Sequence, residues 1–245
     1  MICSPNLVFS VKPPNMISTG TFPISSKVGA INTKGPDGKP YSAWKFRGTG
    51  NIDYINFIKK GNPNDMDSFT VIALVKLEAI NITHQHIFCK SATDLSTLGG
   101  FGIGHRNATG YVCWVYSAAS YRAISVFPTV TNKWNIIVGR YNGKSGLINI
   151  WVDGKIGGYY NVPISSRKLY QSQTNEYMIG MGPQKTTNYT VNGSIGKVEL
   201  YKTALSMPEI SSVYNEVYST FDGDSFGEGP HGIEPEVPIE ESPGE

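Results

Sequence analysis

Cysteine is scarce in this sequence. The 245 residues contain only Cys3, Cys89 and Cys113, and no two of them have Cys-x-x-Cys spacing. Such a small odd number of cysteines excludes a disulfide framework, and the lack of a Cys-x-x-Cys pair argues against a structural zinc site. Because a free cysteine packs like a small apolar residue, we expect Cys89 and Cys113 to be buried, reduced thiols.

Long apolar runs are also missing. No stretch approaches the ~20 apolar residues that a membrane-spanning helix requires, so we expect no membrane span. The N-terminal sequence MICSPNLVFSVKPPNM has neither the basic start nor the continuous apolar segment of a secretory signal. We therefore expect the protein to be made without a classical signal peptide.

Acidic residues are concentrated at the end of the chain. Residues 222–245 hold eight of the 19 acidic residues and none of the 21 Lys and Arg residues, which leaves residues 1–221 with a net charge of +10. This tail is rich in Pro and Gly and has too little apolar content to fold alone. Two interpretations stay open: a solvated end, or a segment that docks on a basic partner or on the rest of the chain.

The dominant pattern in the body is apolar alternation of period two. In SFTVIALVKL (68–77), the odd-numbered residues from Phe69 to Leu77 lie on one face, and Ile72 and Leu74 lie on the other. Because both faces are apolar, the segment is expected to be an inner strand that is covered on both sides. Several similar runs separated by turns predict an all-β antiparallel sandwich or jelly roll.

Glycine marks the turns between these runs. Asn142-Gly143 and Asp153-Gly154 favour tight hairpins, since both residue types tolerate positive φ angles. The segment GRYNGKSG (139–146) superficially resembles a phosphate-binding loop, but its first glycine is misplaced by one residue and a β run follows it. The sequence therefore predicts a hairpin here and no nucleotide site.

One helix is predicted near the end of the body. Ser206 and Glu209 have the spacing of a capping box. Apolar residues then follow at helical spacing, so we expect about three turns whose apolar stripe packs on the sandwich: Ile210, Val213, Tyr214 and Val217.

Catalytic signatures are not evident. His84 and His86 share a strand face but have no third ligand nearby, so we interpret them as polar edge residues and predict no metal site. No Gly-x-Ser-x-Gly elbow occurs, and the acidic residues of the body are mostly isolated in turns. We predict no catalytic residues and a protein that is not an enzyme. The basic residues are spread over many loops, so we also expect no nucleic-acid partner.

Four segments in order carry a family resemblance: SFTVIALVKL, WNIIVGRYNGKSGLINIWVDGK, EYMIGMG and VNGSIGKVELYKTALSMPEISSVYNEV. Their order and spacing, across most of residues 41–218, resemble the laminin G-like and pentraxin-like branch of the concanavalin A-like lectin/glucanase superfamily. The resemblance implies a two-sheet antiparallel jelly-roll sandwich with one short C-terminal helix. We divide the chain into an N-terminal arm with the first strands (1–40), a jelly-roll domain (41–221) and the acidic tail (222–245).

Two departures from the family pattern argue against a calcium site and against glucanase activity. Gly196 and Lys197 stand where relatives often have an aspartate, so a calcium site is not supported and no cofactor is expected. The Glu-x-Asp-x-Glu strand of the glucanase branch does not occur. The resemblance therefore implies a non-catalytic binding or adhesion module.

Two functional hypotheses follow. The first is a lectin-like module that binds a glycan through outward-facing aromatic residues and one polar loop: Trp151, Tyr159, Tyr160, His105, Arg106 and Asn107. The second is a structural or decoration subunit of a virion (capsid or tail), with the jelly roll as a platform for protein contacts. An extracellular-type fold without a signal peptide or disulfides fits a bacteriophage virion, or a cell surface, and a homo-oligomer is left open.

Overall fold

The computed structural model describes residues 7–11, 13, 24–58, 66–80, 83–91, 100–107, 109–117, 120–126, 129–163, 167, 169, 176–182, 185–219 and 234–235. These residues form two antiparallel β-sheets with one α-helix in the described part of the chain. The predicted jelly-roll sandwich with a C-terminal helix is confirmed.

The first sheet has eight strands. They are β1 (Leu7–Val11), β3 (Ile31–Thr33), β4 (Ala43–Arg47), β6 (Phe69–Leu77), β11 (Trp134–Asn142), β12 (Leu147–Val152), β13 (Lys155–Asn161) and β15 (Asn192–Tyr201). Their order is β13-β12-β11-β6-β15-β4-β3, and β1 pairs with β15 outside this path. Strand β13 therefore lies at one edge.

The second sheet has seven strands. They are β2 (Ile24–Val28), β5 (Tyr54–Ile58), β7 (His84–Ser91), β8 (Gly100–Arg106), β9 (Gly110–Ser117), β10 (Ser120–Val126) and β14 (Glu176–Ile179). Their order is β10-β9-β8-β7-β14-β5-β2. The first strands, β1 to β3, fall within residues 1–40 and pair with β15, β5 and β4, so the two sheets begin before residue 41.

Alternation along β6 places its side chains on two different apolar faces. The odd-numbered residues from Phe69 to Leu77 enter the core between the sheets, whereas Ile72 and Leu74 pack on the opposite side. The prediction of an inner strand covered on both sides is confirmed. Cys113 lies in the same inter-sheet core, and both Cys89 and Cys113 are buried free thiols, as predicted.

The helix α1 (Met207–Ser219) covers the outer face of the eight-stranded sheet. The Glu209 carboxylate accepts hydrogen bonds from the backbone N–H and the hydroxyl of Ser206, at 2.8 and 2.7 Å. All four residues of the predicted stripe are buried: Ile210, Val213, Tyr214 and Val217. No helix among the described residues has the length and apolar character needed to span a bilayer.

The GRYNGKSG segment forms the hairpin between β11 and β12. Asn142 pairs with Leu147, and the Gly146 N–H donates to the Asn142 carbonyl at 2.7 Å. The next turn has positive φ at both Asp153 (51°) and Gly154 (84°), as expected for an Asp-Gly hairpin. The interpretation of these glycines as turn residues is confirmed.

Candidate functional site

A pocket of about 210 Å³ lies on the outer face of the seven-stranded sheet. Three adjacent strands, β7, β8 and β9, supply most of its lining, and a 3-10 turn at Thr187–Tyr189 supplies the rest. We call it the β7–β9 pocket. Its principal lining side chains are His84, His86, Arg106, Trp114, Tyr116 and Tyr189.

Strand alternation explains why these side chains share one face. On β9, Tyr111, Cys113 and Val115 enter the inter-sheet core, so Trp114 and Tyr116 lie on the outer face. This places two aromatic rings side by side along one strand.

Gln85 ties strand β7 to the segment before it and to the first residue of β15. Its amide donates to the Ala79 carbonyl and accepts from the Asn192 N–H, each at 2.7 Å, and the residue is fully buried. Because successive side chains of a strand point to opposite faces, burial of Gln85 leaves His84 and His86 facing outward into the pocket.

Glycines of β8 provide the space for the Trp114 ring. A Cβ atom on Gly102 would lie 2.5 Å from Trp114 Cζ2, and one on Gly104 would lie 3.2 Å from Trp114 Cζ3. Since real Cβ atoms do not approach a ring carbon to 2.5 Å, the indole fits only because β8 lacks side chains here. Trp114 is only 5% exposed and forms a fixed wall of the pocket.

The two outward histidines form a ring cluster with Trp114 and Tyr189. The centroid of the His86 ring lies 4.8 Å from that of Trp114 and 5.2 Å from that of Tyr189. The His84 ring lies 5.7 Å from Tyr189. The 3-10 turn is thus held against β7 by contacts between rings.

Burial keeps these histidines neutral. Desolvation, with smaller electrostatic effects from His84 and Arg106, lowers the pKa of His86 to about 3. Desolvation and then Arg106 also lower the pKa of His84. The His86 Nδ1 atom is buried and has no hydrogen-bond partner among the described residues. A neutral imidazole has one donor and one acceptor nitrogen, so each ring is suited to bind a hydroxyl group.

The pocket combines aromatic rings, neutral imidazoles and one guanidinium group. In the described part of the chain, no group of three or more His, Cys, Asp or Glu residues is arranged to hold a metal ion. Lys197 stands where relatives often have an aspartate, and its side chain pairs with Glu199, with 2.9 Å between Nζ and Oε1.

The structure does not bring the six predicted binding residues together. Trp151, Tyr159 and Tyr160 belong to the eight-stranded sheet, whereas His105 and Arg106 belong to the seven-stranded sheet. Trp151 lies on the outer face of its sheet, as expected, but it is not open to a ligand. Its side chain is 0% exposed, because it packs in the cluster under α1 and its indole N–H donates to the Glu234 carbonyl at 3.1 Å.

The other five residues occupy different environments. Tyr159 is 44% exposed on the edge strand β13, and Tyr160 packs partly against the inter-sheet core. The expected loop at 105–107 is mostly strand, since β8 extends through Arg106. His105 is 1% exposed and packs edge-on against Tyr111. Arg106 lines the pocket, and Asn107 lies in the turn that follows β8. Their roles in ligand binding stay predictions.

The interpretation of His84 and His86 as edge residues is wrong. Strand β7 lies inside its sheet, between β8 and β14, and the two rings line the pocket. A signal was present in the sequence. His84 and His86 are two residues apart, as are Trp114 and Tyr116, so each pair shares one face of a strand. In the segment between the two pairs, every second residue from 100 to 104 is a glycine. Only the pairing of β7, β8 and β9 makes these three patterns adjacent.

Comparisons with known proteins agree with the fold. Residues 49–211 match a laminin G family model described as concanavalin A-like lectin/glucanases superfamily. A comparison with curated protein sequences finds no match.

Similar solved structures include several toxin structures. One concerns botulinum neurotoxin type C, whose cell entry depends on interaction with two ganglioside molecules (13% identity, TM-score 0.64, covering 86% of this chain and 51% of that chain). Others are the binding domain of botulinum neurotoxin DC in complex with SialylT (14%, 0.66, 86% and 51%) and the binding domain of Paraclostridial Mosquitocidal Protein 1 (14%, 0.64, 87% and 52%). The chain spans about half the length of these structures, and the likeness concerns the fold.

Proposed function

The chain belongs to the concanavalin A-like lectin/glucanases superfamily, and on that premise we propose that it is a non-catalytic module that binds a glycan in the β7–β9 pocket. The observation that carries this proposal is the ring cluster of Trp114, His84, His86 and Tyr189 around one small pocket. Aromatic walls with a few convergent polar groups are typical of small-molecule sites.

A sugar ring matches this combination of groups. Its C–H face is apolar and packs on an aromatic ring, while its hydroxyl groups need both donors and acceptors. Tyr189 offers the apolar surface beside the largely buried Trp114, and the neutral His84 and His86 offer the hydrogen-bonding groups. The pocket volume of about 210 Å³ lies below the ~300 Å³ that encloses a drug-sized ligand. It therefore fits one sugar unit of a longer chain.

The charge of the lining favours an acidic sugar. Arg106 supplies a positive charge, and no acidic residue occurs among the described residues that line the pocket. A guanidinium group binds a carboxylate or sulfate through paired hydrogen bonds. We propose that glycans with an acidic unit bind more tightly than their neutral counterparts.

The neurotoxin structures support this proposal at the level of the fold. One of these toxins depends on interaction with gangliosides for cell entry, another structure is a complex with SialylT, and several are binding domains. The chain corresponds to about half of each of these structures, so the ligands belong to the larger proteins. The site proposed for this chain rests on its own pocket.

The test uses the full chain on a printed array of neutral, sialylated and sulfated glycans, followed by calorimetric titration of the strongest hit. We expect acidic glycans to give the strongest signal. His84→Ala and Arg106→Gln should each lower the affinity on the order of tenfold, the effect of losing one hydrogen bond to a charged or well-placed group.

Tyr159→Ala is the matched control. Tyr159 is an exposed aromatic residue on the opposite sheet and was itself predicted from the sequence to bind the glycan. If Tyr159→Ala lowers the affinity while the two pocket variants do not, the site lies on the eight-stranded sheet. If the chain binds no glycan on the array, the proposal of glycan binding is wrong.

Display on a bacteriophage virion, a purely structural role in a capsid or tail, and homo-oligomerisation stay predictions. The same holds for the location of the protein on a virion or a cell surface. Detection of this chain in a purified particle fraction tests the predicted location on a virion.

A further inference from the structure

A short piece of the acidic tail lies against the β12–β13 hairpin, on the side of the molecule opposite to the pocket. The Glu234 N–H donates to the Gly154 carbonyl at 2.7 Å, and the Glu234 carbonyl accepts from the Trp151 indole at 3.1 Å. The Glu234 carboxylate accepts from the Ile156 N–H at 2.9 Å. One hairpin thus binds the backbone N–H, the backbone carbonyl and the side chain of a single residue.

The hairpin is suited to receive a peptide segment. Strand β13 lies at the edge of the eight-stranded sheet, and an edge strand presents N–H and C=O groups that pair with no neighbouring strand. Asp153 does not compete for them, because its carboxylate accepts from the Ile136 N–H at 2.7 Å and from the Asn135 amide at 2.6 Å. The turn therefore leaves its outer groups available.

The bound dipeptide has a distinctive chemistry. Pro235 follows Glu234, and a proline disfavours the helical conformation of the residue before it, so Glu234 is restricted to extended conformations. Proline also has no N–H that would need a partner. Lys155 lies between Gly154 and Ile156, two of the three hairpin residues that bind Glu234, and brings a positive charge to the same turn. Glu-Pro occurs once in the sequence.

We propose that the β12–β13 hairpin is a binding site for an extended Glu-Pro peptide, which this chain fills with its own residues 234–235. The site recognises the acidic side chain and the backbone together, as in the addition of a peptide to a sheet edge. Glu234 and Pro235 are both exposed, so the site is open to solvent and a competing segment has access to it.

The connection to the body favours the chain's own segment. Fourteen residues, 220–233, separate the end of α1 from Glu234. Short tethers of this kind give effective concentrations on the order of millimolar. A free peptide therefore competes only when the tethered segment has been weakened, which determines the design of the test.

The test uses the full chain with Glu234→Ala and follows the Trp151 indole N–H by nuclear magnetic resonance, assigned with Trp151→Phe. We expect the variant to shift this signal and to speed its hydrogen exchange on the order of tenfold, since the variant loses the carboxylate bond and weakens the two backbone bonds. A peptide of residues 229–240 should bind the variant and return the signal to its original position. The same peptide with alanine in place of Glu234 should bind at least about tenfold more weakly.

Glu241→Ala is the matched control, because it removes the same charge from the same tail. The proposal is supported if only Glu234→Ala changes the Trp151 signal and only the Glu-Pro peptide restores it. It is overturned if Glu234→Ala leaves the Trp151 signal unchanged, if Glu241→Ala has the same effect, or if both peptides bind alike. None of these outcomes depends on glycan binding at the pocket.

Discussion

The indole ring of Trp114 lies against Gly102 of the neighbouring strand: a Cβ atom at that glycine would approach Trp114 Cζ2 to 2.5 Å and the Phe88 carbonyl oxygen to 2.4 Å. The wall of the β7–β9 pocket therefore depends on a residue that has no side chain. This relationship leads to the first prediction.

Gly102→Ala should both destabilise the protein and disturb the pocket. The added methyl group meets a ring and a backbone oxygen, and overpacking of this kind costs roughly 1–3 kcal/mol. We expect a lower melting temperature by calorimetry and weaker binding of any ligand of the pocket. A melting temperature equal to that of the unchanged protein would contradict the close packing of Trp114 on β8.

Acid should destabilise the fold through two desolvated histidines, the partly buried His86 and the buried His105. Burial lowers the pKa of His86 to about 3 and that of His105 to about 4, from an ordinary value of 6.5. The unfolded chain therefore binds more protons below pH 6.5, so this stability is complete above pH 6.5 and decreases as the pH falls. At pH 5 each histidine should cost about 2 kcal/mol.

Urea unfolding of the unchanged protein and of His86→Gln, between pH 7.5 and pH 5, measures this effect. The variant lacks one of the two titrating histidines. We expect the variant to lose less stability across this range than the unchanged protein. Equal losses in the two proteins would show that His86 is not held neutral by burial.

Arg140 and Arg106 should respond differently to the same substitution. Arg140 is buried, and its guanidinium donates to the Leu205 carbonyl at 2.9 Å and to Asn149 Oδ1 at 3.0 Å while it lies over the Trp151 ring. Lysine cannot reproduce this planar set of contacts. Arg140→Lys should cost about 1–3 kcal/mol of unfolding free energy in urea titrations.

Arg106→Lys is the matched change in the pocket. It should leave the unfolding free energy within ~0.5 kcal/mol of the original and lower the affinity for an acidic glycan instead. A large loss of stability in Arg106→Lys, or none in Arg140→Lys, would contradict these assignments.

The two described cysteines should be unreactive in the folded protein. Burial raises the pKa of both the Cys89 and the Cys113 thiol, and only the thiolate is nucleophilic. In a Cys3→Ser background, an aromatic disulfide reagent should give no reaction in native buffer and should label both thiols in denaturant. Rapid labelling of either thiol without denaturant would show that its strand opens easily.

Much of the fold was predictable from local patterns. The alternation in β6 identified both of its buried faces, the Asp153-Gly154 dipeptide identified a hairpin, and the spacing of Ser206 and Glu209 identified the start of α1. These predictions held because each depends on residues close together in the chain, where strand and helix periodicity determine which side chains share a face.

The candidate site was less predictable. Trp151 has the aromatic chemistry of a sugar-binding residue, but α1 and Glu234 cover the face on which it lies. His84 and His86 looked like an isolated pair because their neighbours Trp114 and Tyr189 are distant in sequence. Composition cannot show which face of a sheet a later segment covers.

The sequence by itself determined inner strands such as β6, the Asn-Gly and Asp-Gly turns, the capped helix and the sandwich class, because these follow from propensity and periodicity within short segments. The tertiary structure alone decided which outer sheet face is covered by α1 and Glu234 and which carries a pocket. It also brought β7, β8, β9 and the Tyr189 turn together through pairings between distant residues. The physical reason is that strand order and coverage depend on the packing of the whole chain, which no single segment encodes.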